Sequence, residues 1–398
     1  MKKLMLLGGN RYQLPVIRVA HELGYYVITC DYLPDNIAHK YSDEYCNISI
    51  IDRDAVLEAA KKLKIDGIMS FACDPGVVPA AYVAEKMGLP SVGSYEAVSI
   101  LQNKGRFREF LAENGFNVPV ARVYKRFEEA VGNVNLFHWP VIVKPTDSAG
   151  SKGVSRVDTP EELQAAFEEA LGKSFGGEVI IEDFLEKVGC SSDSECFSVD
   201  GEFRFMSFNA QRFDTKAKNP YTPAAFSWPS TLTEAHEAEL KSELQRLIRL
   251  LGLKSSLYNV ETRECTDGKA YIMECSPRGG GNRLAEMVRF ATGADLIKAA
   301  VLAAVGEPVE LTQANYKGCW AEVILHCDRS GRFASLQVDE SIRKSIVQTD
   351  LWIEKGEPVE SFAGANNSIG TLVLQFENES RMINVIDNIR DYVRVIVK

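Results

Sequence analysis

The chain lacks a long apolar run, a C-x-x-C pair and an excess of positive charge, and each absence removes a class of protein. No segment approaches the ~20 apolar residues that a membrane helix needs. The opening stretch MKKLMLLGGN has too short an apolar run for a secretory leader. Nine cysteines stand at 30, 46, 73, 190, 196, 265, 275, 319 and 327, an odd number with no C-x-x-C spacing. That points away from a disulfide framework or a zinc knuckle and towards small buried thiols in a reducing compartment. The expected location is the cytoplasm, with no membrane partner. A formal net charge of −10 argues against a nucleic-acid partner, which calls for a basic face. It leaves room for an anionic ligand in a locally basic cleft. No Ser–His–Asp or Cys–His set stands out, so nothing announces a conventional nucleophile.

What is present is the composition of a water-soluble globular protein: 398 residues, 45% hydrophobic and 25% charged, enough for two or three domains. Residues 3–7, 27–31 and 65–70 read as strands, and 12–23, 52–63 and 76–88 as helices. Strands and helices alternating at this spacing predict a parallel sheet, with ligands at the carboxyl ends of its strands. That rim holds Gly8, Gly9, Asn10, Asp31, Cys73, Asp74 and Pro75. A dinucleotide loop is disfavoured there, because Gln13 occupies the third glycine position of G-x-G-x-x-G.

Further along, a helix at 103–113 begins with Lys104, a position where a cation opposes the helix dipole unless an anion is near. A β-branched strand delivers Lys144 into the loop Asp147 to Gly153, rich in small residues whose N–H groups suit phosphate oxygens. This is not a Walker A loop, and a flexible flap fits better. The strand 178–183 is expected to form an extended edge whose free backbone groups and apolar neighbours take a purine ring. A hairpin turning at Asp200-Gly201 follows, carrying Asp193 and Glu195 on its first strand. Residues 214–231 are polar and Pro-rich without periodicity, and predict a long functional loop. Helices are expected at 160–171, 233–251, 282–291 and 294–305, then alternating strands from about 315 and a closing helix at 380–391.

The stretch 258–283, YNVETRECTDGKAYIMECSPRGGGNR, carries the most chemistry. Asp267-Gly268 suits a two-residue hairpin turn. Partners would then sum to 535, setting Glu261 opposite Glu274 and Asn259 opposite Ser276. Facing carboxylates destabilise a ladder by roughly 0.2–1 kcal/mol, so a cation between them is expected. Two carboxylates completed by waters and phosphates is a usual way to hold Mg²⁺. The plain alternative is an exposed hairpin whose acids face water.

In their order along the chain these motifs resemble the ATP-grasp superfamily. The resemblance implies an α/β and α+β architecture: an N-terminal parallel α/β domain (1–95), a two-part ATP-binding domain (96–310, with a mobile lid at about 117–187) and a small C-terminal α+β domain (311–398). It implies that Lys104 and Lys144 bind nucleotide, and that Ser148, Gly150, Ser151, Lys152 and Gly153 belong to the flap over the phosphates. Glu182, Asp183, Phe184 and Leu185 match the linker beside adenine. Glu261 and Glu274 match the metal-binding pair, and Arg278 the arginine that contacts phosphate or the reacting carboxylate. Ser276 stands where the family has Asn, and the ribose-binding acid has no clean equivalent, with Asp193 or Glu195 as substitutes. The implied cofactors are ATP and Mg²⁺, with Mn²⁺ as an alternative. The implied activity joins a small-molecule carboxylate to an amine through an acyl phosphate, on amino acids or, alternatively, on bicarbonate or glycine. A nucleotide-binding module without turnover, and a homo-oligomer, stay open.

Overall fold

A computed structural model describes residues 1–148, 150 and 152–398. The N-terminal part is the expected parallel sheet. Strands β1 (Lys3–Leu7), β2 (Tyr26–Asp31), β3 (Glu44–Asn47) and β4 (Gly67–Ser70) are ordered β3-β2-β1-β4, all parallel. Leu4, Met5, Leu6 and Leu7 are fully buried, as a sheet covered on both faces requires. Helices Leu14–Glu22, Arg53–Leu63 and Val77–Met87 supply the cover. At the first turn the Gln13 amide donates to the carbonyls of Leu7 and Phe71. The side chain at the third glycine position thus fills the turn and ties β1 to the end of β4.

A second, antiparallel sheet contains β5 (Ala121–Tyr124), β6 (Val141–Pro145), β7 (Ser155–Val157) and β8 (Val179–Asp183), ordered β5-β8-β6-β7. Helix Leu163–Leu171 packs its apolar stripe (Leu163, Ala166, Phe167, Ala170) on this sheet. Strand β8 is therefore internal, not the free edge expected of 178–183: β5 and β6 use its backbone groups on both sides. Just beyond, the Phe184 N–H is taken by the Pro140 carbonyl.

The third sheet carries the hairpin with the facing carboxylates. Its strands β9 (Ser192–Val199) and β10 (Glu202–Ser207) form the hairpin turning at Asp200-Gly201, both residues at positive φ as a type I′ turn needs. Between that hairpin and the next, β11 (Ala210–Phe213) and β12 (Pro223–Trp228) leave the sheet, and β13 (Ser256–Glu264) and β14 (Ala270–Ser276) return to it in the order β10-β9-β13-β14. Helix Glu234–Leu250 covers one face with Leu240, Leu244, Leu247 and Ile248.

The expected long loop at 214–231 is a loop only as far as Thr222. Strand β12 pairs with β11 and with β15 (Cys319–Leu325), burying Phe226 and Trp228 completely. The prolines that suggested irregular chain sit at or beyond its ends, at 220, 223 and 229. The resulting five-stranded sheet also contains Gly370–Phe376 and, at its edge, Ile346–Leu351, and so draws two strands from mid-chain.

The turn of the β13–β14 hairpin differs from expectation in an instructive way. Glu264 pairs with Ala270, and the loop is longer than two residues, with Gly268 at φ +77. Near the turn partners therefore sum to 534. A bulge at Met273 then adds one residue to β14, so that Glu261 faces Glu274 and Asn259 faces Ser276. The expected carboxylate pair forms through two compensating one-residue shifts.

Candidate active site

Cross-strand register lays out two rows on one sheet face: Asp193–Glu261–Glu274 and Glu195–Asn259–Ser276. Three carboxyls thus stand side by side in the first row. Burial pushes Glu261 up, and Glu274 adds to the effect while Arg263 opposes it. Glu274 is different. It lies in an open cleft at 48% side-chain exposure, with Lys104 Nζ 3.1 Å from Oε1. Its burial among protein would raise it, but Lys104 and Lys144 outweigh that and hold it below the usual range.

Two lysines converge on this pair. Lys104, at the first turn of helix Lys104–Glu113, donates to the Ser148 carbonyl at 3.0 Å as well as meeting Glu274. The anion expected near that helix start is Glu274 itself. Lys144, at 7% exposure, meets Glu182 Oε1 at 2.5 Å. Arg108 takes the other Glu182 oxygen at 3.0 Å and donates to the Met273 carbonyl at 2.8 Å. Burial alone would raise the Glu182 carboxyl, yet Arg108 and Lys144 outweigh it and hold it down at about 2. Glu182 is therefore occupied as a counterion. The sequence pointed to 182–185 but not to Arg108. The only signal for it was an arginine set among apolar positions of its helix, where it is buried alongside Phe107 and Leu111.

Beyond Glu182, Asp183 holds His138 through both its backbone N–H and its ring at 2.9 and 2.8 Å. Arg156 lies 4.6 Å over the Phe184 ring, and the Leu185 carbonyl accepts from Arg263. In the flap, Ser148 donates to the Lys173 carbonyl, and Asp147 accepts from Ser174 and from the N–H groups of Phe175 and Gly176. Gly150 and Gly153 adopt positive φ, and Lys152 is exposed. Ser151 lies outside the described residues.

At the other end of the carboxylate rows, Arg278 is clamped. Asp74 binds it bidentately at 2.9 Å and 2.9 Å, and Asn259 accepts at 2.9 Å. Ser276 accepts from Gln102 at 2.8 Å and donates to Asp74 at 3.1 Å. Asp193 and Glu195 share the Asn259 amide, and Glu195 also accepts from the Gly280 N–H. Burial pushes Asp193 up to about 7, with Glu261 adding to it, and Glu195 up to about 8. The structure thus groups these two acids with Glu261, Asn259 and Arg278. Asp74 appeared in the sequence only as one residue of a rim, and its partnership with Arg278 spans 204 positions.

Two lysines, a register-paired carboxylate couple and a clamped arginine are thus gathered around one sheet face. Residues 137–286 match the family model described as the ATP-grasp domain. Among curated relatives, the chain is 33% identical over 187 residues to the formate-dependent phosphoribosylglycinamide formyltransferase of Synechococcus sp. (strain WH7803), over 46% of this chain and 48% of that protein. It is 24% identical over 326 residues to the carbamoyl phosphate synthase large chain of Ralstonia nicotianae, over 78% of this chain and 30% of that one. The chain thus spans about half or less of the curated relatives it matches. Among solved structures it resembles the phosphoribosylglycinamide synthetase from Anaerococcus prevotii (TM-score 0.77, 23% identity, 100% of both chains). It also resembles the L-amino acid ligase from Bacillus licheniformis (TM-score 0.79, 18% identity, 100% of this chain and 99% of that one). These likenesses establish the fold.

Proposed function

We propose that the chain is an ATP-dependent carboxylate–amine ligase that works through an acyl phosphate and releases ADP and phosphate. The observation that carries this reading is the Glu261–Glu274 pair, with Lys104 and Lys144 at one end and Arg278 at the other. The donor chemistry fits Mg²⁺: the strand register forces two hard carboxylates, Glu261 and Glu274, side by side. Such a site leaves positions for waters and substrate phosphates. Bound there by Glu261 and Glu274, Mg²⁺ would supply charge neutralisation at the phosphates.

The residues of the chain do the rest. Lys104 and Lys144 reach the phosphate oxygens from the flap side, and the 182–185 segment lines the adenine. Arg278, fixed by Asp74, presents a guanidinium to the carboxylate or phosphoryl oxygen. A carboxylate oxygen attacks the γ-phosphorus, the bond to the β-phosphate oxygen breaks, and ADP leaves. The amine nitrogen then attacks the carbonyl carbon, the carbon–oxygen bond to phosphate breaks, and the nitrogen loses a proton. The flap keeps water from the acyl phosphate.

For the acid, the relatives' names point to formate, bicarbonate or an amino acid. The test is ADP and phosphate release across pairs of these acids, glycine included, with candidate amines. Release that needs one particular acid–amine pair is expected, and AMP release would replace the mechanism with adenylation. Glu274→Gln should abolish the Mg²⁺-dependent turnover with circular dichroism unchanged; full turnover would remove the metal assignment.

A further inference from the structure

Ser276 lies between Glu274 and Arg278 on one face of its strand, in the place where the ATP-grasp resemblance calls for an asparagine. A serine there is an amide short. Its hydroxyl stands on a single carbon, and the structure already commits most of what it can do. The one proton goes to Asp74 Oδ1 at 3.1 Å, and a lone pair takes the Gln102 Nε2–H at 2.8 Å. Ser276 is buried, whereas the Glu274 side chain two residues earlier is open to the cleft.

The group that reaches Ser276 is the amide that the strand lacks. Gln102 ends helix Tyr95–Gln102, and Asn103 caps the next helix by accepting from the Arg106 N–H. Lys104 fixes the junction, its backbone N–H donating to the Thr146 carbonyl at 2.8 Å and its Nζ meeting Glu274 at 3.1 Å. One short segment thus enters the carboxylate rows twice, at Ser276 through Gln102 and at Glu274 through Lys104.

The hydrogen bonds also decide which way the amide faces. The Ser276 proton is spent on Asp74, so only a donor can meet its oxygen, and the Gln102 NH₂ group is turned towards it. The Gln102 carbonyl oxygen is left with no hydrogen-bond partner among the described residues, and it is not sealed from solvent. An oriented amide oxygen with nothing to accept, beside two paired carboxylates, is a hard neutral donor suited to Mg²⁺.

We infer that Gln102 is a ligand of the cation held by Glu261 and Glu274, supplying through Oε1 the amide oxygen that Ser276 cannot. The inference rests on the ligase reading above and extends its metal site to a residue outside the hairpin. Ser276 aims the amide, and Asp74 carries the same chain of hydrogen bonds on to Arg278. Motif spacing could not reveal the partnership, since 174 positions separate Gln102 from Ser276.

The test is Mn²⁺ titration of the full chain with a non-hydrolysable ATP analogue bound, read by loss of the free-ion paramagnetic resonance signal. Gln102→Ala should weaken Mn²⁺ binding about tenfold, as loss of one positioned group at a metal centre does, with circular dichroism unchanged. Gln102→Glu separates a ligand from a strut, because a carboxylate keeps an oxygen for the metal but cannot donate to Ser276. Its Mn²⁺ affinity should match or exceed the parent's; a loss as large as that of Gln102→Ala overturns the proposal. Adding Ser276→Asn to Gln102→Ala returns an amide to the strand and should restore the affinity. Indifference of Mn²⁺ affinity to Gln102→Ala, or no recovery in the double variant, also overturns it. A parent chain that adds nothing to the Mn²⁺ affinity of the free analogue would sink the ligase reading itself, and this inference with it.

Discussion

At the residue scale, the most exacting group is Glu182. It compensates two cations, Lys144 and Arg108, in a place where none of the three can reach bulk water. Removing one member of a buried ionic set strands the others, which typically costs ~3–5 kcal/mol. Glu182→Gln should therefore lower stability by roughly 3 kcal/mol at neutral pH. The pH dependence has a definite sign. A carboxyl held at about 2 when folded, against ~4.3 when unfolded, contributes stability that is full above the unfolded value. That contribution fades as pH falls through the folded value. The stability gap between the parent chain and Glu182→Gln, read by denaturant melts, should shrink from pH 5 towards pH 2. A gap constant across that range would show that the carboxylate's charge is not what Arg108 and Lys144 require.

At the element scale, the β13–β14 hairpin shows what could be read from the sequence. The alternation of strand residues and the Asp-Gly pair revealed a hairpin and put Glu261 across from Glu274. What escaped was the longer loop and the bulge at Met273, because a one-residue insertion leaves the hydrophobic alternation on either side almost unchanged. Strand β12 escaped for the opposite reason. Its pattern of small and aromatic residues is short, and flanking prolines outweighed it until partners on both sides, one of them the distant β15, completed the sheet. The edge expected of 178–183 failed likewise, since β5 and β6 pairing with β8 is a matter of topology that no local signal reports. A Cβ placed on Gly268 would meet nothing within 4 Å, so only the positive φ of this residue matters. Gly268→Val should cost ~1–2 kcal/mol through the backbone. Since the bulge sets the carboxylate register downstream of the turn, Mg²⁺-dependent turnover per folded molecule should stay close to normal. Melting temperature and turnover measured on the same preparation separate the two effects; a turnover loss larger than the folded fraction explains would tie the turn directly to the site.

At the scale of the whole molecule, the candidate site is assembled from distant parts of the chain. The parallel sheet was legible from its strand–helix alternation. That the rim would hand Asp74 to Arg278 was not, because ion pairs between separate sheets leave no periodic trace. Asp74→Asn keeps the shape and one hydrogen bond but removes the charge opposite the guanidinium. Acid-dependent ADP formation should fall by about two orders of magnitude, in line with the loss of a positioned charge-stabilising group, while the chain stays folded. A drop in melting temperature with normal ADP formation per folded chain would make Asp74 a strut only.

The bulge at Met273 has one more consequence. Its displaced carbonyl is the one that Arg108 grips, so the irregularity joins the carboxylate-bearing strand to Glu182 and Lys144. The hairpin tip beyond it is stitched to the segment that follows Leu185: the Thr266 N–H donates to the Glu186 carbonyl, and the Val188 N–H to the Glu264 carbonyl. A tag spliced between Thr266 and Lys269 would therefore act as a lever on residues 186–188 before it reached the carboxylates at the far end of the strands.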